Sequence, residues 1–171
     1  MDTISDLKLV VIFSRLGPYH LARLEATGRM AQTNGYRLYG IEASCSGGDY
    51  AWDKTTSMNQ FFERITLFPE RNYHELKRSE ISSAIWDALN RIDPAVVAIP
   101  GWSFPEAVAA LHWCHRVKRR AICMSDSKFD DMPRLWWKEW IKKFFFVSRF
   151  DASLVAGQPH TRYIQGLGLP T

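Results

Sequence analysis

Short apolar runs alternate along the chain with longer stretches in which apolar residues recur every three or four positions. The short runs are typical of strands buried on both faces, and the longer stretches are typical of amphipathic helices. The predicted strands cover residues 7–13, 36–44, 62–68, 93–102, 120–125 and 151–157, and the predicted helices cover residues 21–34, 70–92, 103–119, 133–150 and 158–168. This alternation predicts an α/β fold with a Rossmann-like, doubly wound and mainly parallel sheet, covered by helices on both faces.

The length of the chain favours a single domain. Its 171 residues, 46% of them hydrophobic, suffice for one buried core but are too few for two ordinary domains. We therefore expect residues 1–171 to form one Rossmann-like domain. Ligands bind to such a sheet at the carboxyl ends of the strands, where the strand order reverses. The loops after the first, fourth and fifth strands are the predicted binding region.

Charge and cysteine content narrow the class of protein. The formal net charge of +4 suits a phosphate-bearing ligand or an anionic membrane, although it is also common in soluble proteins. Cys45, Cys114 and Cys123 form no even framework, which favours reduced thiols. Residues 1–8 carry two aspartates where a signal peptide would be basic. We expect a cytoplasmic protein with no nucleic acid partner.

The sequence lacks the common signatures of nucleotide and metal sites. The loop after the first strand has no G-x-G-x-x-G pattern, and no G-x-x-x-x-G-K-[ST], G-x-S-x-G or D-x-D pattern occurs in the chain. These absences argue against dinucleotide enzymes, nucleoside triphosphatases, serine hydrolases and metal-dependent transferases. The sequence therefore predicts neither a bound cofactor nor a metal site.

The loop after the first strand contains two candidate binding residues. Gly17 would let the backbone approach a ligand, and the helix that follows offers free N–H groups to an anion. His20 lies at the start of that helix, where a ring nitrogen would reach a sugar hydroxyl. A simple strand-to-helix turn and a capping or surface histidine are the competing interpretations.

The segment 133–150 is rich in tryptophan, phenylalanine and lysine. On a wheel of about 100° per residue its apolar side chains form one broad arc, which we expect to pack in the core because each helix of this fold buries a face. A bilayer interface is the alternative for that arc. The basic residues form a stripe that would suit anionic lipid or phosphate, with a solvated surface as the alternative, and consist of Arg134, Lys138, Lys142 and Arg149.

Four segments resemble the N-terminal, acceptor-side domain of GT-B glycosyltransferases of family 4, also called glycosyltransferase group 1. They cover residues 13–26, 99–116, 124–143 and 151–170. The last segment is the most telling, since the first domain in that family ends with a strand, G-x-P, an arginine-tyrosine helix and L-G-x-P. The resemblance spans nearly the whole chain, and it implies a Rossmann-like domain that binds the acceptor.

The resemblance also implies roles for residues after the fourth and fifth strands. Asp126 would be catalytic, because its carboxylate orients an acceptor hydroxyl by accepting its hydrogen bond. Ser125 and Ser127 would offer their hydroxyls to a sugar, and Trp102 and Arg134 would complete the substrate-binding set. A local turn or helix cap suits Ser125, Asp126 and Ser127 equally well.

The function implied by the resemblance is retaining transfer of a sugar from a nucleotide-sugar donor to a saccharide or lipid-linked cell-envelope acceptor. The family's donor-side signature, two glutamates separated by seven residues, does not occur in the sequence. We therefore expect the donor-binding C-terminal domain to be absent and the chain to be inactive alone. The alternatives are a stand-alone module that binds a nucleotide, sugar or partner without catalysis, and a domain that docks on membranes as a peripheral protein.

Overall fold

A computed structural model describes residues 7–46, 61–130 and 135–170. Six parallel strands form one sheet in the order β3-β2-β1-β4-β5-β6, which confirms the predicted fold class. The strands are β1 Leu7–Phe13, β2 Tyr36–Glu42, β3 Glu63–Thr66, β4 Val96–Pro100, β5 Arg120–Ser125 and β6 Ala152–Val155. The helices are α1 Pro18–Thr33, α2 Arg78–Ile92, α3 Pro105–Val117, α4 Trp136–Phe145 and α5 Gln158–Gly166.

The sheet separates two hydrophobic clusters, and β1 contributes to both because successive side chains of a strand point to opposite faces. Val10 and Ile12 belong to the larger cluster, which also contains the buried faces of α2 and α3. Leu9, Val11 and Phe13 pack against the smaller cluster, which contains the buried face of α1. The predicted arrangement of helices on both faces of the sheet follows from this division.

The prediction of one helix over residues 70–92 is wrong in its first part, because the helix begins later. A separate short 3-10 helix covers Tyr73–Glu75, and α2 begins only at Arg78. Lys77 has an extended backbone, with ψ 146°, and its N–H donates to Glu80 Oε2 at 2.9 Å. Glu80 thereby caps the helix start and fixes it three residues upstream of itself.

The prediction that the aromatic arc of 133–150 packs in the core is wrong for its members in α4, whereas Val147, which belongs to the same arc, is buried. None of the α4 residues is buried, and Trp136 is 82% exposed and Trp140 54% exposed. The larger cluster is closed at this point by residues that follow α4, among them Val147, Phe150 and Tyr163. With that space filled, the aromatic side chains of α4 have no core to enter. None of the helices in the described ranges is long and apolar enough to cross a membrane.

The chain returns along the outer edge of β6 after α5. Ser153 lies in the middle of β6, and both its N–H and its hydroxyl donate to the carbonyl of Pro170, at 3.0 and 2.9 Å. The other edge of β6 pairs with β5. The segment after α5 therefore covers part of an edge strand.

Replacing Gly28 by alanine is expected to lower the free energy of unfolding by about 1–3 kcal/mol, as overpacking usually does. A β-carbon at Gly28, within α1, would lie 2.2 Å from the carbonyl oxygen of Phe61. In an unobstructed helix the same change would instead gain about 1 kcal/mol. Urea unfolding measures the difference, and Ala26→Gly at an exposed position of α1 is the matched control. A stabilised Gly28→Ala variant would contradict the close approach of α1 to Phe61.

Candidate functional site

A cleft of about 570 Å³ lies at the carboxyl ends of four strands. The strand order reverses between β1 and β4, and both strands contribute to the cleft, as expected for the binding crevice of a doubly wound sheet. Three loops and two helices form its walls. They supply Phe13, residues 100–104, residues 124–127 and residues 154–156, together with His20 and Arg23 of α1 and Lys142 of α4.

The cleft brings together most of the residues singled out from the sequence. His20, Trp102, Ser125, Asp126 and Ser127 all line it, although they come from three different loops or helix starts. Two other predicted residues do not contribute in the same way. Gly17 lies outside the cleft wall, and Arg134 lies outside the described residues.

His20 is held in one orientation by the residues before it. Its ring stacks on Phe13, with ring centroids 4.3 Å apart, and its Nδ1 accepts the N–H of Gly17 at 3.2 Å. Burial lowers the pKa of His20 below its usual value; a hydrogen bond with the backbone of Arg15 partly opposes this, and the charge of Arg23 adds to the lowering. The cleft is therefore lined by a neutral imidazole at neutral pH.

Gly17 lies at the start of α1, and its own N–H group is already engaged. Gly17 caps α1 with φ −89°, a value open to every residue, so the position does not require glycine. Its N–H is already bound to His20 Nδ1, and the N–H of Leu16 is bound to Glu42 Oε2 at 2.7 Å. The amides of Leu16 and Gly17 thus have partners inside the protein and are not open to an anion. Gly17 instead fixes the ring of His20.

The lowered pKa of His20 predicts a pH-dependent contribution to stability. An unfolded histidine takes up a proton near pH 6.5, whereas folded His20 does so only at lower pH. The unfolded state therefore binds more protons, and stability is lost as the pH falls through the unfolded pKa toward the folded one. We expect acidification to destabilise the native protein more than the His20→Gln variant, measured by urea unfolding across that range.

His112→Gln is the matched control for that measurement, because His112 is an exposed histidine of α3. It should show the same loss of stability on acidification as the native protein. Equal pH dependence of native protein and His20→Gln would mean that His20 is not desolvated in the fold.

The loop after β5 combines a turn with the predicted acceptor residues. The N–H of Ser127 donates to Ser125 Oγ at 3.2 Å, so Ser125 supports a local turn. Asp126 lies at the tip of this turn and is exposed in the cleft wall. Among the described residues none donates a hydrogen bond to its carboxylate, in contrast to the buried glutamates below. Both interpretations of Ser125 and Ser127, as turn residues and as cleft residues, are therefore compatible with the geometry.

In the part of the chain that the structure describes, two cationic side chains line the cleft, and one of these two belongs to the predicted basic stripe. Lys142 lies on the inner side of α4, where its ammonium contacts Glu139 Oε1 at 2.7 Å and the hydroxyl of Tyr163 at 3.4 Å. The Tyr163 hydroxyl donates to the other oxygen of Glu139 at 2.7 Å. Arg23 reaches the cleft from α1 and stacks over the ring of Tyr19 at 4.8 Å.

The predicted basic stripe is therefore divided between two surfaces. Lys142 faces the cleft and is partly buried, whereas Lys138 is exposed on the outside of α4. Arg149 follows α4 in a short 3-10 helix, Val147–Arg149, and is partly exposed. The helical wheel grouped these residues because it continued one helix as far as Arg149, whereas α4 ends at Phe145.

Two fully buried carboxylates hold the β1–α1 loop beside the cleft. Glu42, at the end of β2, receives the N–H of Leu16 and the side chains of Arg64 and Thr66. These bonds tie the loop to the far edge of the sheet. Glu42 therefore anchors the segment that carries Gly17 and His20.

Glu106, in the first turn of α3, holds the same loop from the other side. It accepts hydrogen bonds from the hydroxyls of Ser14 and Tyr73, the latter at 3.0 Å. Burial raises the pKa of Tyr73, and the charge of Glu106 raises it further. The carboxylate of Glu106 is thus satisfied by hydroxyl groups rather than by a cation.

Sequence reasoning missed Arg23, Glu42 and Glu106. Arg23 follows His20 by three positions on α1, a spacing that places both on one face of a helix and would have identified it. Glu42 and Glu106 carry no comparable signal, because an acidic residue at a strand end or in a first helical turn usually faces solvent. No group of three or more histidine, cysteine or acidic side chains in the described ranges is placed to hold a metal ion.

Neither a protein-family model nor a curated protein matches the sequence, so the resemblance to family 4 stays a prediction. Three solved structures do resemble the fold. A protein from Listeria monocytogenes described as a UDP-N-acetylglucosamine 2-epimerase superposes with a TM-score of 0.59 at 12% identity, over 95% of this chain and 42% of its own. The Neisseria meningitidis UDP-GlcNAc 2-epimerase bound to UDP-GlcNAc gives 0.55 at 10% identity, over 96% and 44%.

The third similar structure is UGT2 from Phytolacca americana, a UDP-glycosyltransferase, with a TM-score of 0.54 at 12% identity over 89% of this chain and 46% of its own. The chain spans less than half the length of each of these structures. At such low identity the similarity concerns the fold. The comparisons therefore support a GT-B-type fold for this chain.

Proposed function

We propose that this chain is the acceptor-side half of a glycosyltransferase, which transfers a sugar from a nucleotide-sugar donor to a saccharide or lipid-linked acceptor. The observation that carries the proposal is the cleft at the reversal of strand order, where a carboxylate, a neutral imidazole, hydroxyls and aromatic rings meet. A small set of polar groups within an aromatic wall is the usual composition of a site for a polar organic ligand.

Each of these groups has a role in sugar transfer. The carboxylate of Asp126 accepts the hydrogen bond of the attacking acceptor hydroxyl and so orients it toward the donor sugar. Ser125 and Ser127 bind neighbouring hydroxyls, and Trp102 provides an aromatic wall against which a sugar ring packs. His20 remains neutral and acts as a hydrogen-bonding partner rather than as a charge.

The cations of the cleft suit the phosphate groups that the proposed ligands carry. Arg23 and Lys142 enter the cleft from α1 and α4, and each offers several N–H donors. Lys142 is held in place by Glu139 and Tyr163, which limits its freedom before a ligand arrives. A phosphate of the donor or of a lipid-linked acceptor is the group we assign to these side chains.

The structural neighbours supply the reason for a nucleotide-sugar donor. The Neisseria meningitidis structure contains UDP-GlcNAc. MnaA from Staphylococcus aureus, another neighbour, contains UDP. It superposes with a TM-score of 0.52 at 11% identity, over 95% of this chain and 41% of its own. Because the chain spans less than half of these structures, we assign donor binding to a second Rossmann-like domain. We also propose membership of family 4, a retaining outcome and a cytoplasmic location, on the four segments that resemble that family.

The test is turnover of nucleotide sugars by the chain alone and by the chain combined with a second, donor-binding domain. We expect no turnover alone, and transfer to an added saccharide or lipid-linked acceptor in the combination. Analysis of the product distinguishes transfer from epimerisation of the donor, the reaction named for several neighbours. Saturable binding of a sugar or nucleotide to the isolated chain, with no turnover in any combination, would instead establish the non-catalytic binding module.

A further inference from the structure

The helix α4 turns its polar side toward the protein and its apolar side toward solvent, which is the reverse of a normal surface helix. Its polar residues Glu139 and Lys142 face the protein, where their side chains are 19% and 27% exposed and bind Tyr163. Its apolar residues face solvent. We call them the aromatic face, which consists of Trp136, Trp137, Trp140, Ile141, Phe144 and Phe145.

The aromatic face is continuous rather than scattered. At 3.6 residues per turn its six members cover roughly half of the helix circumference, from Trp136 to Phe145. Trp140 and Phe144 contact each other with ring centroids 4.5 Å apart, so they form a single apolar surface. A contiguous exposed apolar surface of this kind on a soluble domain indicates a binding surface.

The charges of α4 lie beside the aromatic face and are positive. The helix contains three lysines and one glutamate, and the glutamate is paired with Lys142 on the inner side. This leaves Lys138 and Lys143 exposed along the two flanks of the aromatic face, with Arg149 just beyond the helix. Lys138 also lies 5.3 Å from the ring centroid of Trp137. The outer side of α4 thus presents aromatic rings bordered by cations.

We propose that the aromatic face of α4 docks on the surface of an anionic lipid bilayer. Tryptophan and phenylalanine enter the boundary between headgroups and acyl chains, and the flanking lysines contact anionic headgroups. The contacts of Glu139 and Lys142 with Tyr163 on the inner side hold the helix against the body of the domain. Charge complementarity selects this occupant, because an uncharged apolar partner would gain nothing from the lysine flanks.

Docking on this surface brings the cleft close to the membrane. Lys142 lines the cleft from the inner side of α4, while the aromatic face lies on the outer side of the same helix. The separation is about one helix diameter, roughly 10–12 Å. The docking inference goes beyond the proposed sugar transfer and does not depend on it, since lipid binding is measured without turnover.

The test is co-sedimentation of the chain with vesicles of phosphatidylcholine mixed with phosphatidylglycerol, and with vesicles of phosphatidylcholine alone. We expect binding to the anionic vesicles that weakens with added salt and on removal of the anionic lipid. Replacing both Lys138 and Lys143 by glutamine should weaken binding roughly thirty-fold, since each basic residue near the surface contributes about 1 kcal/mol. The double variant Trp136→Ser/Trp140→Ser should lose binding.

Met30→Ser is the matched control, because Met30 is a comparably exposed apolar residue on α1. It should bind vesicles as the native chain does, and all variants should keep the native unfolding midpoint because the replaced side chains are exposed. Absence of binding to anionic vesicles would overturn the proposal. So would binding that both α4 variants retain. A dimer that Trp136→Ser/Trp140→Ser dissociates, without vesicle binding, would assign the aromatic face to a second copy of the chain instead.

Discussion

Replacing Glu42 by glutamine is expected to lower the free energy of unfolding by about 3–5 kcal/mol, the usual cost of removing one partner of a buried ion pair. The carboxylate is fully buried, and its Oε1 accepts from Arg64 Nε at 2.8 Å and from the Thr66 hydroxyl at 2.7 Å. Its Oε2 accepts from the N–H of Leu16 at 2.7 Å. Three donors therefore depend on one side chain.

Glutamine cannot replace these bonds because it has one acceptor oxygen and brings two donors of its own. Either the N–H of Leu16 or the side chains of Arg64 and Thr66 would lose their acceptor. The guanidinium of Arg64 would also keep its charge in a site where its side chain is only 18% exposed. The loss of this ion pair is the largest part of the expected effect.

Urea unfolding of the native protein and the variant measures this loss. Arg119→Gln is the matched control, because it breaks an exposed ion pair with Asp93 and should cost only about 0–1 kcal/mol. Nearly equal losses for the two variants would contradict the assigned role of Glu42. The variant should also bind cleft ligands more weakly, since Leu16 precedes the segment that positions His20.

Replacing Asp126 by alanine is expected to lower kcat of the completed transferase at least about tenfold, since a hydrogen bond to a charged group contributes roughly 1.5–3 kcal/mol. The carboxylate is exposed in the cleft and carries no structural hydrogen bond among the described residues. Its removal should therefore leave the unfolding midpoint unchanged. The loss should appear in kcat more than in the KM for the donor, because the proposed contact is to the acceptor hydroxyl.

Asp126→Asn separates two roles for this carboxylate. The amide keeps an acceptor oxygen but cannot take up a proton. Asp126→Asn should therefore preserve activity if Asp126 only orients the acceptor. It should lose as much activity as Asp126→Ala if Asp126 is the base. Asp130→Ala is the control, because Asp130 is an exposed aspartate outside the cleft wall that pairs with Lys128. Unchanged kinetics for Asp126→Ala would remove Asp126 from the site.

The fold followed from the sequence because its elements have strong local signals. The run 7–13 is apolar except for Lys8, and Pro105 and Pro18 lie at helix starts where proline is favoured. The parallel sheet then placed the loops after β1, β4 and β5 at one edge, which brought His20, Trp102 and Asp126 into one predicted site.

The orientation of α4 and the buried carboxylates required the three-dimensional structure. A helical wheel shows which residues share a side, but not which side faces the sheet, and Val147 and Tyr163 had already filled the space beneath α4. Glu42 acquires its partners through the register of two strands, which sets it beside Thr66. Register joins segments that are distant along the chain, and a slip of one residue would turn the side chain of Glu42 to the other face of the sheet.

The segment that follows α5 and runs along β6 affects the association of this protein with other copies of itself. An exposed edge strand recruits further strands, because its free N–H and C=O groups extend the ladder of hydrogen bonds. In this chain the carbonyl of Pro170 occupies the N–H of Ser153, and proline has no N–H with which to continue the ladder. The opposite edge is β3, which has only four residues. Both borders of the sheet thus discourage the strand-by-strand addition of further copies that would build a fibre.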